Sequence, residues 1–305
     1  MITHTRFIAL IAMAIFSCLL IGFLVYLPII FMTVADTFWN PALFTACASM
    51  GFIVVIPLVV LAASPMSDGI ASLFFPIRKQ SLREEEQIKP VLDEVLKLYR
   101  EKHGEDIVVK LLVMDMPNIN GIALGRKTIA VSKGLLSVAT DEELAAVISH
   151  EIGHLHNRDG VLNMTLFAAS SPVILVHHVL SGVVEACPKP NMKIGGGKDD
   201  DLTDTLIMVA YGLSMAFCAV FLWPCIAALW GMRSVDFATA WPIEYRADKF
   251  AADLGYAPAL IELLERIEDE DVRGATGFLK KYMYTHPPTA LRIDRLERGL
   301  TVKKM

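Results

Sequence analysis

The amino-acid sequence predicts an α+β membrane protein that is predominantly α-helical, with a small β-sheet and four transmembrane helices. The first observation is composition: 54% of the 305 residues are hydrophobic and the mean hydropathy is +0.49, more apolar than an ordinary soluble domain. The second is four apolar runs that reach the length of about 20 residues needed to cross a hydrocarbon core. The third is the mixture of helical and strand periodicities in the polar segments.

Two apolar runs at the start of the chain, residues 7–32 and 42–63, predict that residues 1–63 form two transmembrane helices. The apolar core of the first run is too long for a signal peptide, and its charged flank is minimal. Because a second span follows closely, we expect a retained anchor rather than a cleaved leader.

Two later apolar runs, residues 161–184 and 206–232, predict a transmembrane hairpin over residues 161–232. Pro172 and its two preceding serines interrupt the first of these runs, which could instead form a re-entrant or peripheral helix. Pro224 lies inside the second run, where a transmembrane helix tolerates proline.

Lys and Arg residues near the span ends predict the orientation, since positive flanks favour the cytoplasmic side. These residues are Arg6, Arg78, Lys79, Arg83, Arg158 and Arg233. The consistent solution places both termini, residues 64–160 and residues 233–305 in the cytoplasm. The connection at residues 185–204, with three glycines and a run of aspartates, is then a flexible loop outside.

The two cytoplasmic segments differ in their expected secondary structure. Residues 64–160 mix α and β: apolar residues recur at three- to four-residue spacing over residues 84–103, which predicts an amphipathic helix. Residues 233–305 are charged and helical. The predicted strands cover residues 107–114, 120–124 and 127–131. The predicted C-terminal helices cover residues 242–253, 257–269 and 289–298.

Residues 150–154 read His-Glu-Ile-Gly-His and follow a capping box that begins a helix at Thr140. Helix positions i and i+4 share one face, so His150 and His154 can bind one ion, and two neutral imidazoles suit zinc. Glu151 can act as a general base without binding the metal. Five residues alone could also match by chance on an amphipathic helix.

A catalytic zinc usually has three protein ligands and one open position, so a third ligand must come from elsewhere. Glu244 and Asp248 are the best candidates, because they follow the fourth span on the expected side of the histidine pair. They are i and i+4 on a helix, so one can bind the metal while the other orients a ligand imidazole. Alone, they would suit a solvated amphipathic helix better.

Three motifs in this order resemble those of the HtpX-type membrane metallopeptidases, over about residues 80–305. They are His150 to His154 with Asn157 and Asp159, Glu244 to Asp248, and Thr285-His286-Pro287-Pro288. The resemblance implies a zincin-like metalloprotease domain with one Zn²⁺ per subunit. It implies a multi-pass protein of the bacterial cytoplasmic (inner) membrane, with its active site facing the cytoplasm.

The resemblance also implies roles for individual residues. It gives three zinc ligands: His150, His154 and Glu244. Glu151 would be the catalytic base, Asp248 would orient His150, and His286 would stabilise the oxyanion or hold substrate. A residue that simply precedes a helix start is the alternative for His286. Arg246 could be a second oxyanion donor or could pair with Asp248.

A strand beside the cleft would bind substrate by β-augmentation, in which a peptide pairs with an exposed sheet edge. The resemblance assigns this role to Asn120, Gly121, Ile122, Ala123 and Leu124. Gly121 and Ile122 replace the family's Ala-Phe, and Leu124 replaces Thr, so side-chain preference does not carry over. Backbone pairing does not depend on these side chains.

The implied function is zinc-dependent endopeptidase action on protein or peptide substrates at the cytoplasmic face, in quality control of misfolded or damaged membrane proteins. The net charge of −5 gives no reason to expect nucleic acid, and the five cysteines form no C-x-x-C pair. Two alternatives stay open: an intramembrane site-2-type protease and a catalytically silent zinc-binding scaffold. Substrate identity, oligomeric state and regulation are not predicted.

Overall fold

The computed structural model describes residues 2–33, 40–69, 76–186, 201–271 and 287–303. It is mostly helical with one small four-stranded sheet, which confirms the predicted fold class. The chain forms two compact units. The sheet unit comprises Met1–Phe7, Leu58–Leu166 and Val235–Met305, and the helical unit comprises Ile8–Pro57 and Phe167–Ser234.

Four helices in the described residues are long and apolar enough to cross a membrane, as the sequence predicts. By length and composition these spans are His4–Ile29, Pro41–Ala63, Asp159–Ala186 and Tyr211–Asp253. They belong to the helices α1 (Ile2–Thr33), α2 (Pro41–Ala63), α6 (Asp159–Ala186) and α7 (Asp201–Asp253). The chain therefore has the make-up of a multi-pass membrane protein.

Small residues let α1 and α2 approach closely within the helical unit. A Cβ on Gly22 would lie 2.5 Å from the Cα of Ala48, and a Cβ on Gly51 would overlap the backbone of Cys18. Packing of this kind drives helix association where lipid is as apolar as the side chains.

The sheet has four strands: β1 (Ile77–Arg78), β2 (Lys110–Met114), β3 (Gly121–Leu124) and β4 (Thr128–Ser132). Their order is β1-β2-β4-β3, so β3 is an edge strand. The pairs β1–β2 and β3–β4 are antiparallel, and β2 and β4 are parallel, with Leu112 opposite Ala130. The predicted strand at residues 107–114 therefore begins later, at Lys110.

Three capped helices pack with the sheet around the main core. The helix α3 (Leu82–His103) starts with a capping box at Ser81 and ends at Gly104, whose φ is +71°. A short helix, α4 (Lys133–Val138), follows β4, and α5 (Asp141–His156) begins with the predicted capping box at Thr140. Fully buried residues of this core include Val95, Val113, Ile129, Ile148 and Ile152.

The fourth span and the predicted helix at residues 242–253 are one continuous 53-residue helix, α7. The sequence predicts two separate elements because charge returns at Arg233, but a helix needs only its own backbone hydrogen bonds to continue. The part of α7 from Val235 onward belongs to the sheet unit. Two further helices, α8 (Ala257–Asp271) and α9 (Thr289–Lys303), complete the described chain.

Candidate metal centre

Three side chains from two helices converge in the sheet unit. His150 and His154 lie on the same face of α5, and Glu244 comes from α7. The two Nε2 atoms are 3.2 Å apart, and they lie 3.5 and 3.6 Å from the carboxylate oxygens of Glu244. One donor atom from each residue falls within 4.8 Å of the other two, a spacing that one metal ion can bridge.

Each imidazole has a carboxylate behind it. The Nδ1 of His150 lies 2.9 Å from Oδ1 of Asp248, and the Nδ1 of His154 lies 3.1 Å from Oδ2 of Asp159. In a neutral imidazole, a carboxylate at Nδ1 holds the proton on that nitrogen, so that Nε2 can offer its lone pair to a metal ion. The geometry therefore allows both histidines to offer Nε2 to one metal ion.

An arginine side chain donates hydrogen bonds to each of these two carboxylates. Arg292, on α9, donates to both oxygens of Asp248 at 2.8 and 2.5 Å and lies 3.9 Å from Glu244. Arg246 donates to Oδ1 of Asp159 at 2.7 Å. Of the two roles considered for Arg246, the structure therefore shows neither: it is bonded to Asp159 rather than to Asp248.

The charges of the site favour a cation at its centre. Burial lowers the pKa of His150, but hydrogen bonds to Asp248 and Glu244 outweigh burial and raise that pKa to about 10. Burial also opposes the charge on Arg292, yet the hydrogen bond to Asp248 and the nearby carboxylates raise its pKa.

The balance of formal charge at the centre matches a divalent ion. Four carboxylates face two guanidinium groups, which leaves two negative charges when both histidines are neutral. The carboxylates are Glu151, Glu244, Asp159 and Asp248, all buried. A donor set of two imidazoles and one carboxylate, with this charge, fits Zn²⁺.

Glu151 lies beside the edge strand. It is buried, and a Cβ on Gly121 would lie 3.2 Å from Oε1 of Glu151 and 2.8 Å from Cγ1 of Val147. The side chain of Glu151 therefore fills the space beside β3 that a side chain at position 121 would take.

The hydrogen-bond pattern of β3 shows which backbone groups face outward. The N–H of Ser132 donates to the carbonyl of Asn120, so alternate residues of the strand bond to β4. The N–H and C=O groups of Gly121 and Ala123 then point away from β4. The residues predicted to bind substrate, Asn120 to Leu124, thus form a sheet edge beside Glu151.

Two contacts of the site are not predicted by the sequence. Asp159 belongs to one of the three motifs, but the motif does not indicate that its side chain lies behind His154. Arg292 has no local pattern that links it to a residue 44 positions away. His286 lies outside the described residues, so its catalytic role stays a prediction.

Comparison with known proteins gives one family and several relatives. The model of peptidase family M48 matches residues 82–299. A protease HtpX homolog from Streptococcus pneumoniae is 26% identical over 210 residues, covering 62% of this chain and 67% of its own. Protease HtpX from Aliivibrio fischeri is 28% identical over 203 residues, covering 61% and 65%.

A solved structure, that of S. mikatae Ste24p, is 19% identical with a TM-score of 0.49. The alignment covers 90% of this chain and 61% of the Ste24p chain. The chain thus spans about two thirds of the length of the curated relatives it matches and less of the length of Ste24p.

Proposed function

Because the chain belongs to peptidase family M48, we propose that it is a zinc-dependent endopeptidase of a membrane. Membership in this family confirms the resemblance predicted from the three motifs. The convergence of His150, His154 and Glu244, with a carboxylate behind each imidazole, is the observation that supports zinc most directly. These three residues would hold the ion.

When bound, zinc would supply Lewis-acid polarisation of the scissile carbonyl and a more acidic water. Glu151 takes a proton from the attacking water and delivers it to the leaving amine. Its burial beside the edge strand, next to His150 in the sequence, supports this role. Asp248 and Asp159 keep the imidazoles oriented, and His286 is assigned to the oxyanion on its motif alone.

The substrate backbone is proposed to pair with β3. The outward N–H and C=O of Gly121 offer a donor and an acceptor to an extended peptide, whereas the carbonyl of Ala123 lies close to Gly160. In this binding mode the protein recognises the main chain of the peptide rather than its side chains. Unfolded segments of many different sequences could therefore bind. Misfolded or damaged membrane proteins are the proposed substrates.

The active site is proposed to face the cytoplasm. Arg6, at the start of α1, donates to Asn163 at 2.8 Å and to Thr239 at 2.6 Å. Asn163 follows the histidine pair and Thr239 precedes Glu244. These contacts support a topology with the start of the first span and the metal centre on the same side of the membrane. Positive residues at the span ends favour a cytoplasmic location, in a bacterial inner membrane, for the face that carries the metal centre.

Metal removal tests the proposal. The full chain, purified in detergent, should cleave fluorescein-labelled casein, lose activity with a chelator and regain it with about one equivalent of Zn²⁺. His154→Ala should bind less zinc and should not regain activity. Cleavage that survives complete removal of metal would overturn the proposal.

A further inference from the structure

The turn that follows the edge strand β3 is hydrogen-bonded to residues at and just after the end of α2. The backbone N–H of Arg126 donates to Oδ1 of Asp68 at 2.7 Å. Its guanidinium donates to the carbonyl of Ala63, the last residue of α2, at 2.7 and 3.2 Å. We call these residues, together with Gly125, the turn clamp. Asp68 is 8% exposed, so the clamp holds a buried carboxylate against a backbone amide.

Gly125 supplies the conformation and the space that the clamp requires. Its φ is +59°, in the left-handed region that favours glycine. A Cβ at this position would overlap the carboxylate of Asp68. Any other residue here would therefore displace Asp68 as well as strain the turn.

The start of α6 encloses the same turn from another direction. A Cβ on Gly160 would lie 2.9 Å from the carbonyl oxygen of Gly125 and 3.2 Å from that of Ala123. Gly160 directly follows Asp159, the residue behind His154. The turn is thus packed between the end of one apolar helix and the start of another, next to the metal centre.

The edge strand also packs against α5, where Gly121 lies next to Val147 and Glu151. β3 has four residues, and in the described part of the chain it pairs with β4 only. At its other end, the hydroxyl of Ser132 accepts from the N–H of Asn120. A short strand with one neighbour gains little stability from its own pairing. The position of the turn at the end of β3 therefore contributes to how the strand lies against Glu151.

We propose that Asp68 and Arg126 are positioning residues that hold β3 in place for the substrate backbone. They couple the end of the second membrane helix to peptide binding without touching the metal ligands. The inference rests on the proposed function, because it takes β3 as the strand that pairs with substrate.

Peptide affinity tests this directly. In the full chain carrying Glu151→Gln, binding of a fluorescent unstructured peptide is measured by anisotropy, with zinc content measured in parallel. Asp68→Ala should raise Kd by about tenfold, the value of one hydrogen bond to a charged group. Asp68→Asn keeps an oxygen acceptor for the N–H of Arg126 and should stay within about twofold. Zinc content should be equal in all of them.

Two further variants keep the test decisive. Asp115→Ala removes a carboxylate that pairs with Arg78 and Lys133 elsewhere in the sheet unit, and its Kd should not change. If Asp68→Ala does not fold, Arg126→Ala replaces it, since it removes only the bonds to Ala63. It should also raise Kd.

Equal Kd in the alanine variants and the parent would overturn the inference. So would equal losses in Asp68→Ala and Asp68→Asn, or a parallel loss of zinc. Failure of the proposed function has a different outcome: the unmodified chain would show no zinc-dependent cleavage, whatever the clamp variants do to peptide affinity.

Discussion

Arg292 donates two hydrogen bonds to Asp248, at 2.8 and 2.5 Å, and so links the C-terminal helix to the carboxylate behind His150. The Arg292 side chain is 12% exposed and that of Asp248 is 4% exposed. Charged pairs at this burial depend on each other, because the loss of one leaves an uncompensated charge.

Arg292→Ala should therefore destabilise the fold by about 3–5 kcal/mol and lower zinc affinity by about 10–100-fold. Arg292→Lys keeps the charge but loses the bidentate hydrogen bonding. Its stability and zinc affinity should lie between those of Arg292→Ala and the parent. Chemical unfolding and zinc competition titration measure the two effects. Arg298→Ala, which removes an exposed i,i+4 pair on the same helix, is the control and should leave zinc affinity unchanged. A zinc affinity unaltered in Arg292→Ala would contradict the link to His150.

Asp159 should support His154 as Asp248 supports His150. Asp159→Ala leaves Nδ1 of His154 without its acceptor, so zinc affinity should fall by about 10–100-fold. Arg246→Ala should have a smaller effect, because the Arg246 side chain is 37% exposed and only backs the carboxylate. Zinc competition titration ranks the two variants. A larger loss of zinc affinity in Arg246→Ala than in Asp159→Ala would contradict the role of Arg246 as a support for Asp159.

The parts of this site that sequence could predict are those encoded locally. The capping box at Thr140 and the i, i+4 spacing of His150 and His154 lie within one helix, whose periodicity needs no knowledge of the rest of the chain. The motif resemblance assigned Glu244, from a distant segment, as the third ligand. The structure brings these three residues together.

The parts that sequence could not predict depend on long-range packing. Arg292 reaches Asp248, and Asp68 reaches the turn at Arg126, across many intervening residues and with no repeating pattern. The strand β1 has two residues, too few to show an alternation. The continuity of α7 is not predicted, because a change from apolar to polar residues suggests a boundary but does not end a helix.

Gly121 should set the distance between the edge strand and Glu151. In Gly121→Ala the new Cβ meets Cγ1 of Val147 at 2.8 Å, so β3 must shift. A misplacement of this kind should lower kcat/KM by about 10–100-fold while zinc stays bound. Adding Val147→Ala makes room and should restore part of the activity. Gly299→Ala, which meets nothing within 4 Å, should behave as the parent does. Full activity in Gly121→Ala would contradict the close approach.

The proposed topology can be tested by cysteine labelling from outside intact cells. In a variant without native cysteines, Lys198→Cys should react with a membrane-impermeant maleimide. Arg298→Cys should react only after the cells are opened, because the proposed topology has the C-terminal segment inside. Labelling of Arg298→Cys in intact cells would place the metal centre on the outer face.

The rate of casein cleavage by Glu151→Gln, measured beside its zinc content, tests the central claim most directly. The substitution keeps the size of the side chain and leaves His150, His154 and Glu244 in place, but an amide cannot accept the proton from water. Zinc should remain at about one equivalent while cleavage falls to background. Near-normal proteolysis by this variant would contradict the assignment of Glu151 as the base.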